Sequence, residues 1–352
     1  MHSFKNLLAA AALMGCATLA SAAYSGVYVF GDSLSDTGND AFLLGADSAQ
    51  VVTGNAYIPE APYGSGQFTN GNVWVQSFTN ALGLPASGLS SLAGGGNFAF
   101  GGARTATDGI GLPPSLLAQA NQFIGGLSGG NAPGQALYVV EGGGNDARDV
   151  LAAAATSATP GAVISAGAAA YAQSVGQVVD RLQAAGAQNI VVWDVPNLGL
   201  APAVTSLGTG AAFLGGQVAT AMNSALSARL SLEAGVSIFD VYGLQNTIAA
   251  HPSTYGLTNI TDACGAVANC AASGYFYWDG IHPTEAIHAV LSQGMLNAIA
   301  PAVPEPSKAL MLAGGLLALA SLAVCGRWGG GGRHLSPAGW PARQGSNLRP
   351  PA

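Results

Sequence analysis

The chain has very little positive charge where a fold could use it. Only 8% of its 352 residues are charged, and six of its ten lysines and arginines lie near the two ends. Residues 23–302 keep Arg104, Arg148, Arg181 and Arg229 against sixteen acids, every acid except Glu305, a balance of −12. No lysine occurs between Lys5 and Lys308. Without an amine, Schiff-base, Walker-A and Ser–Lys chemistry are excluded from this body. Four scattered arginines cannot neutralise a run of phosphates, which argues against nucleic acid as a partner. Cysteine is scarce too: Cys16 and Cys325 lie near the ends, leaving only Cys264 and Cys270 between them. Two thiolates with no histidine close by fall short of the four ligands of a zinc site. A disordered chain is excluded by 49% hydrophobic residues.

What is present at the ends reads as addresses. Residues 1–22 have Lys5, an apolar run over 7–13 and Ala20-Ser21-Ala22, the pattern of a cleaved secretory signal. Cys16 offers a second export reading, lipoprotein processing, although Met14 suits that box poorly. Near the other end, Val303-Pro304-Glu305-Pro306-Ser307 precedes an uncharged run over 309–326 and then Arg327. Eighteen apolar residues are just long enough for a transmembrane segment through a thin bilayer. The motif, span and trailing Arg resemble the PEP-CTERM sorting signal of Gram-negative bacteria. That resemblance implies an exosortase-type protease, alongside signal peptidase, as a partner, and a mature protein that is secreted or attached to the cell surface. Residues 328–352 depart from the pattern and read as a disordered tail. In an oxidising compartment Cys264 and Cys270, with five residues between them, are expected to pair as a disulfide.

Between the ends, short unbroken apolar runs alternate with Ala-rich stretches. Val27-Tyr28-Val29-Phe30, Leu137-Tyr138-Val139-Val140, Asn189 to Val195 and Val236 to Asp240 have the character of strands buried on both faces, with Phe98-Ala99-Phe100 as a fifth candidate. Helical stretches fall at 163–185, 211–234 and 284–299. This alternation predicts one α/β domain over 23–302: three αβα layers around a doubly wound, mostly parallel sheet. Ligands in such sheets bind beyond the carboxyl ends of the strands. Three strand ends carry polar clusters there: Gly31-Asp32-Ser33, Gly101-Gly102-Ala103 and Gly144-Asn145-Asp146.

Ser33 follows a buried strand at a Gly-initiated turn, so its hydroxyl can project from the sheet edge. A serine needs a base to become a nucleophile. The body offers His251, His282 and His288. His282 has Asp279 three residues before it, with Gly280 allowing a tight turn, a spacing that lets the carboxylate hold one ring nitrogen and leave the other for Ser33. Asp240, at a strand end, is the alternative carboxylate. His251 reads as surface, and His288 lies on a later helical turn pointing elsewhere. Pro283 suits the first position of the last helix. Gly126-Leu127-Ser128-Gly129-Gly130 matches G-x-S-x-G, but no strand precedes it, so it reads as a loop.

Four blocks then occur in order: Phe30-Gly31-Asp32-Ser33-Leu34-Ser35-Asp36-Thr37-Gly38-Asn39, Asn97-Phe98-Ala99-Phe100-Gly101-Gly102-Ala103, Gly143-Gly144-Asn145-Asp146 and Asp279-Gly280-Ile281-His282-Pro283-Thr284. Together they resemble the GDSL, or SGNH, hydrolases. The resemblance implies a flavodoxin-like fold and a lipase/esterase that cleaves carboxylic esters of small molecules or lipids through an acyl-enzyme, with no metal or organic cofactor. It implies Ser33, His282 and Asp279 as catalytic residues. The oxyanion donors would be the Ser33 N–H, a glycine N–H (Gly102, with Gly101 as the alternative) and the Asn145 amide. Phospholipase, acyltransferase or polysaccharide deacetylase activity on the same site, or an idle surface protein, are the rival readings. The aromatic run Tyr275-Phe276-Tyr277-Trp278, with Phe68 and Trp74, is expected to wall an acyl chain.

Overall fold

The computed structural model describes residues 24–108 and 113–300. The leader, the sorting motif, the span over 309–326 and the tail over 328–352 lie outside the described residues.

The elements follow in chain order: β1 (Val27–Phe30), α1 (Asn39–Leu44), α2 (Trp74–Ala81), α3 (Leu116–Gly126), β2 (Leu137–Val140), α4 (Gly144–Thr156), α5 (Pro160–Ala184), β3 (Asn189–Trp193), α6 (Pro202–Thr205), α7 (Thr209–Leu230), β4 (Val236–Phe239), α8 (Val241–Ala250), β5 (Asn259–Ala263), β6 (Tyr275–Tyr277) and α9 (Glu285–Ile299). Strands β1 to β4 form one parallel sheet in that order. Residues 96–100 run along the free side of β1: Val29 N–H donates to Gly96 O, and Phe98 N–H donates to Val29 O. The fifth expected strand is therefore present as an edge segment with a single Val29–Asn97 bridge rather than a full strand. Counting it, the spatial order is that of the flavodoxin-like sheet, with its switch point between β1 and β2.

Alternation along β1 and β2 explains why their runs are apolar throughout. Val27, Val29, Leu137 and Val139 pack with α2, α8 and α9 on one face. Tyr28, Phe30, Tyr138 and Val140 pack with α3, α4, α5 and α7 on the other. Each strand needs apolar side chains in both directions because helices cover both faces. Strands β5 and β6 form a separate parallel pair, and Cys264, directly after β5, is joined to Cys270 by a disulfide with Cα atoms 5.6 Å apart. No described helix is long and apolar enough to cross a membrane. The last helix starts at Glu285 with Thr284 as N-cap, so Pro283 lies before it rather than at its first position; Thr284 is held by its N–H to Phe276 O at 2.9 Å.

Candidate active site

The chain leaves β1 through Gly31, where a side chain has no room: a Cβ would lie 2.7 Å from Glu141 Oε2. Asp32 then builds the turn. Its carbonyl accepts from the Ser35 and Asp36 N–H groups, and its Oδ1 accepts from Leu34 N–H at 3.0 Å. Asp36 braces the far side, its Oδ1 accepting from Gly38 and Asn39 N–H. The result holds Ser33 at the end of the strand with its N–H free of any acceptor among the described residues.

Ser33 Oγ lies 2.8 Å from His282 Nε2, across a sequence separation of 249. His282 Nδ1 lies 2.7 Å from Asp279 Oδ2. Asp279 is fully buried and takes three more donors: Tyr63 O–H on Oδ2 at 2.8 Å, and the Ile281 and His282 N–H groups on Oδ1. Burial, reinforced by the charge of Asp279, pushes the Tyr63 phenol well above its ordinary range, so it stays a donor. Gly280 makes the tight turn: a Cβ there would lie 2.5 Å from Tyr57 O. Asp240 is elsewhere, capping α8 through Gly243 N–H. Phe68 packs on the His282 ring, centroids 5.6 Å apart.

The second and third blocks meet the first. Gly102 adopts φ +73, a left-handed conformation that favours glycine. Its N–H has no acceptor among the described residues, whereas the Gly101 N–H faces Asp36 Oδ2 at 3.3 Å. Asp146 ties the two blocks together, accepting from the Thr105 N–H and O–H. Asn145 Nδ2 donates to Ala103 O at 3.0 Å and faces Asp32 Oδ2 at 3.5 Å.

Beneath Ser33 lies a buried polar chain that the sequence did not reveal. Trp74 Nε1–H donates to Ser35 Oγ, and Ser35 O–H donates to Glu141 Oε2 at 2.8 Å. Asp32 N–H also reaches Glu141. Burial first, and the charge of Asp32 second, push the Glu141 carboxyl well above the ordinary range. Asp32 is pushed up to about 6 by burial, against the Leu34 N–H bond that lowers it. His288 is likewise absorbed into packing: it accepts from Trp74 N–H, and burial holds its imidazole down at about 3. His251 is exposed, and Ser128 stands on an exposed turn after α3.

A cavity of about 80 Å³ opens at Ser33 and His282. Its apolar side includes Leu198, Val241, Ile248, Phe276 and Ile281, and its polar side Asn145 and Arg148. The expected aromatic wall is therefore only half right. Phe276 and Tyr277 line the cavity, but Trp278 does not; it stacks edge-on against Tyr63 behind Asp279. Trp74 lies in the core against Trp193. The reason is that Trp278 lies beyond the end of β6, where the chain turns toward Asp279: its N–H donates to His282 O at 2.8 Å and its carbonyl accepts from Gly265 N–H.

Residues 27–295 match the GDSL-like lipase/acylhydrolase family. The chain belongs to that family. It is 25% identical over 323 residues to GDSL esterase/lipase 6 of Arabidopsis thaliana, covering 77% of this chain and 86% of that one. It is 24% identical over 295 residues to the thermolabile hemolysin of Vibrio parahaemolyticus, covering 77% and 63%. Against esterase EstA of Pseudomonas aeruginosa it is 29% identical over 338 residues, covering 80% and 48%, so the chain spans about half of that relative. The phospholipase A1 structure from Streptomyces albidoflavus NA297 overlaps with a TM-score of 0.41 at 17% identity, covering 78% of this chain and 100% of that one. As a GDSL-like lipase/acylhydrolase the protein is a carboxylic ester hydrolase.

Proposed function

We propose that Ser33, His282 and Asp279 act as a catalytic triad in an exported esterase/lipase. The observation that carries this reading is the unbroken line from Ser33 Oγ through both nitrogens of His282 to Asp279 Oδ2, at 2.8 and 2.7 Å. His282 Nε2 takes the Ser33 proton as Oγ bonds to the ester carbonyl carbon. Asp279 fixes the tautomer that keeps Nε2 free and stabilises the imidazolium that forms. The carbonyl π electrons move onto oxygen, which is received by the Ser33 and Gly102 N–H groups and by the Asn145 N–H not donated to Ala103 O, which gives up its long contact with Asp32 Oδ2. Gly102 is favoured over Gly101, whose N–H already faces Asp36. Collapse breaks the ester C–O bond, and the leaving alkoxide takes the proton from His282. Water repeats the sequence on the acyl-enzyme: His282 takes its proton, and Ser33 leaves with that proton as the acid departs.

The apolar side of the cavity suits an acyl chain entering past Phe276 and Ile281. Export is supported by the secretory pattern over residues 1–22 and by the Cys264–Cys270 disulfide, which suits an oxidising compartment. The test is turnover of 4-nitrophenyl esters from acetate to decanoate by the parent and by Ser33→Ala. Loss of turnover in the variant is expected, and equal turnover in both would overturn the mechanism.

A further inference from the structure

Arg148 stands apart from the other guanidinium groups of the described residues. Arg104 pairs with Asp149, and Arg229 with Asp180 and Glu233. Arg181 bonds Asn121 on the surface. Arg148 has no carboxylate within ion-pair distance among the described residues, yet it is half-buried and lines the cavity that holds Ser33 and His282. One N–H, on Nη1, donates to Asn145 Oδ1 at 3.3 Å. A guanidinium carries five donors in a planar fork suited to a two-pronged acceptor. Burial, more than any neighbouring charge, disfavours its cationic form. It is thus a partly dehydrated cation in an otherwise acidic body, pointing into a substrate cavity with most of its donors unengaged.

We infer that Arg148 is a specificity-determining contact for esters that carry an anionic group, a carboxylate or a phosphate, a few bonds from the scissile carbonyl. The inference rests on the triad reading, because it places the carbonyl at Ser33. The spacing follows from the chain Arg148 to Asn145 Oδ1, with Asn145 Nδ2 as the proposed oxyanion donor. An anion on the Arg148 fork then lies one side chain away from the reacting carbon. Desolvating such a pair in a narrow apolar cavity strengthens it relative to water. A neutral ester of the same shape leaves the guanidinium as it is and gains nothing from it. A rival role confines Arg148 to holding the Asn145 amide with Nδ2 toward the oxyanion; that role helps all esters equally.

The test compares two matched pairs. On the acyl side, 4-nitrophenyl hemiadipate is set against 4-nitrophenyl hexanoate. On the alcohol side, 1-oleoylglycerol 3-phosphate is set against 1-oleoylglycerol. The ratio of kcat/KM, anionic over neutral, is measured for the parent, Arg148→Gln and Arg148→Lys. In at least one pair the ratio should fall about 10- to 100-fold in Arg148→Gln, the range for a lost charge-assisted hydrogen bond, and less in Arg148→Lys. The pair that responds tells which side of the ester carries the anion. In the parent alone, the same ratio should decline as salt is raised, which keeps the inference testable if Arg148→Gln does not fold. Ratios that stay within twofold in both pairs and do not respond to salt would overturn it, as would an equal loss on all four substrates, which marks a role on Asn145 only. Ser33→Ala separates this from the triad: activity surviving in that variant removes the triad reading, whereas its loss with unchanged Arg148 ratios removes only this inference.

Discussion

Around Ser33 the braces are carboxylates, and most of them come from the same few residues: Asp32 holds Leu34, and Asp36 holds Gly38 and Asn39. Around His282 the Asp279 carboxylate also makes local bonds, to the Ile281 and His282 N–H groups, but the further braces come from far away and are neutral. Tyr63 reaches Asp279, Thr69 O–H donates to Pro283 O, and Gly280 N–H donates to Tyr57 O. The turns of the first loop are made by its own residues, with Glu141, Trp74 and Asn97 fastening it to the core. The second is placed by the excursion over residues 55–74, more than 200 positions earlier. A nucleophile must sit at one point on a rigid strand end, which local turns can specify. A base must be brought to that point from another part of the chain, which only tertiary contacts can do.

The largest effect should come from the one carboxylate that the second loop holds. Asp279→Asn keeps the shape but turns a donor or a weaker acceptor toward His282 Nδ1, disfavouring the tautomer that Ser33 requires. A loss of kcat of about 10³–10⁴-fold is expected from the behaviour of such triads, read by steady-state turnover of a short-chain 4-nitrophenyl ester with circular dichroism unchanged. A loss under tenfold would mean that Asp279 is only a turn residue and that the comparison between the loops has the wrong partners. Next is Asn145→Ala, which removes a proposed oxyanion donor belonging to neither loop. It should lower kcat by about 10²–10³-fold with KM little changed. A change in KM alone would place Asn145 in substrate binding instead.

These two loops also differ in how far they could be read from the chain. Asp32, Ser33, Asp36 and Asn39 announce themselves because their partners are within a turn, and Asp279 to His282 carry their own spacing. The strands were legible because burial on both faces leaves an unbroken apolar run. Tyr63 and Glu141 were not legible. Tyr63 meets Asp279 across a separation of 216, and Glu141 meets Ser35 across 106; no periodicity marks such meetings. The edge segment at 96–100 was half legible: its apolar residues resemble a strand, but Gly101 and Gly102 turn it away after one bridge. The aromatic run misled because a list of bulky residues does not say where the strand ends: Phe276 and Tyr277 belong to β6 and line the cavity, whereas Trp278 follows it and packs against Tyr63.

Tyr63→Phe sharpens the comparison at a smaller scale. The phenyl ring keeps its packing against Trp278, and only the O–H to Asp279 is lost. A buried acceptor left with three donors instead of four costs about 1 kcal/mol. We expect a kcat lower by severalfold, and a similar modest drop in melting temperature. An unchanged kcat would show that Asp279 is held well enough by its own loop and that the distant brace is dispensable.

The smallest effect concerns the carboxylate side of the comparison and appears as a pH dependence of stability. Asp40, at the start of α1 beside Asp36, is buried and pushed up to about 7, by burial first and the charge of Asp36 second. Its folded pKa is therefore above its unfolded value near 3.9. Between those values the native state binds the extra proton, so this group's stabilising contribution is fully present below about pH 4 and is lost as pH rises through 7. Asp40→Asn removes that dependence. The variant should melt higher than the parent at pH 8, by on the order of 1 kcal/mol, with the advantage shrinking toward pH 5. Thermal melts at the two pH values read it directly. If the variant instead loses the same stability at both, Asp40 acts as a fixed hydrogen-bonding brace like Asp36, and the loop that carries Ser33 is no more sensitive to alkali than the loop that carries His282.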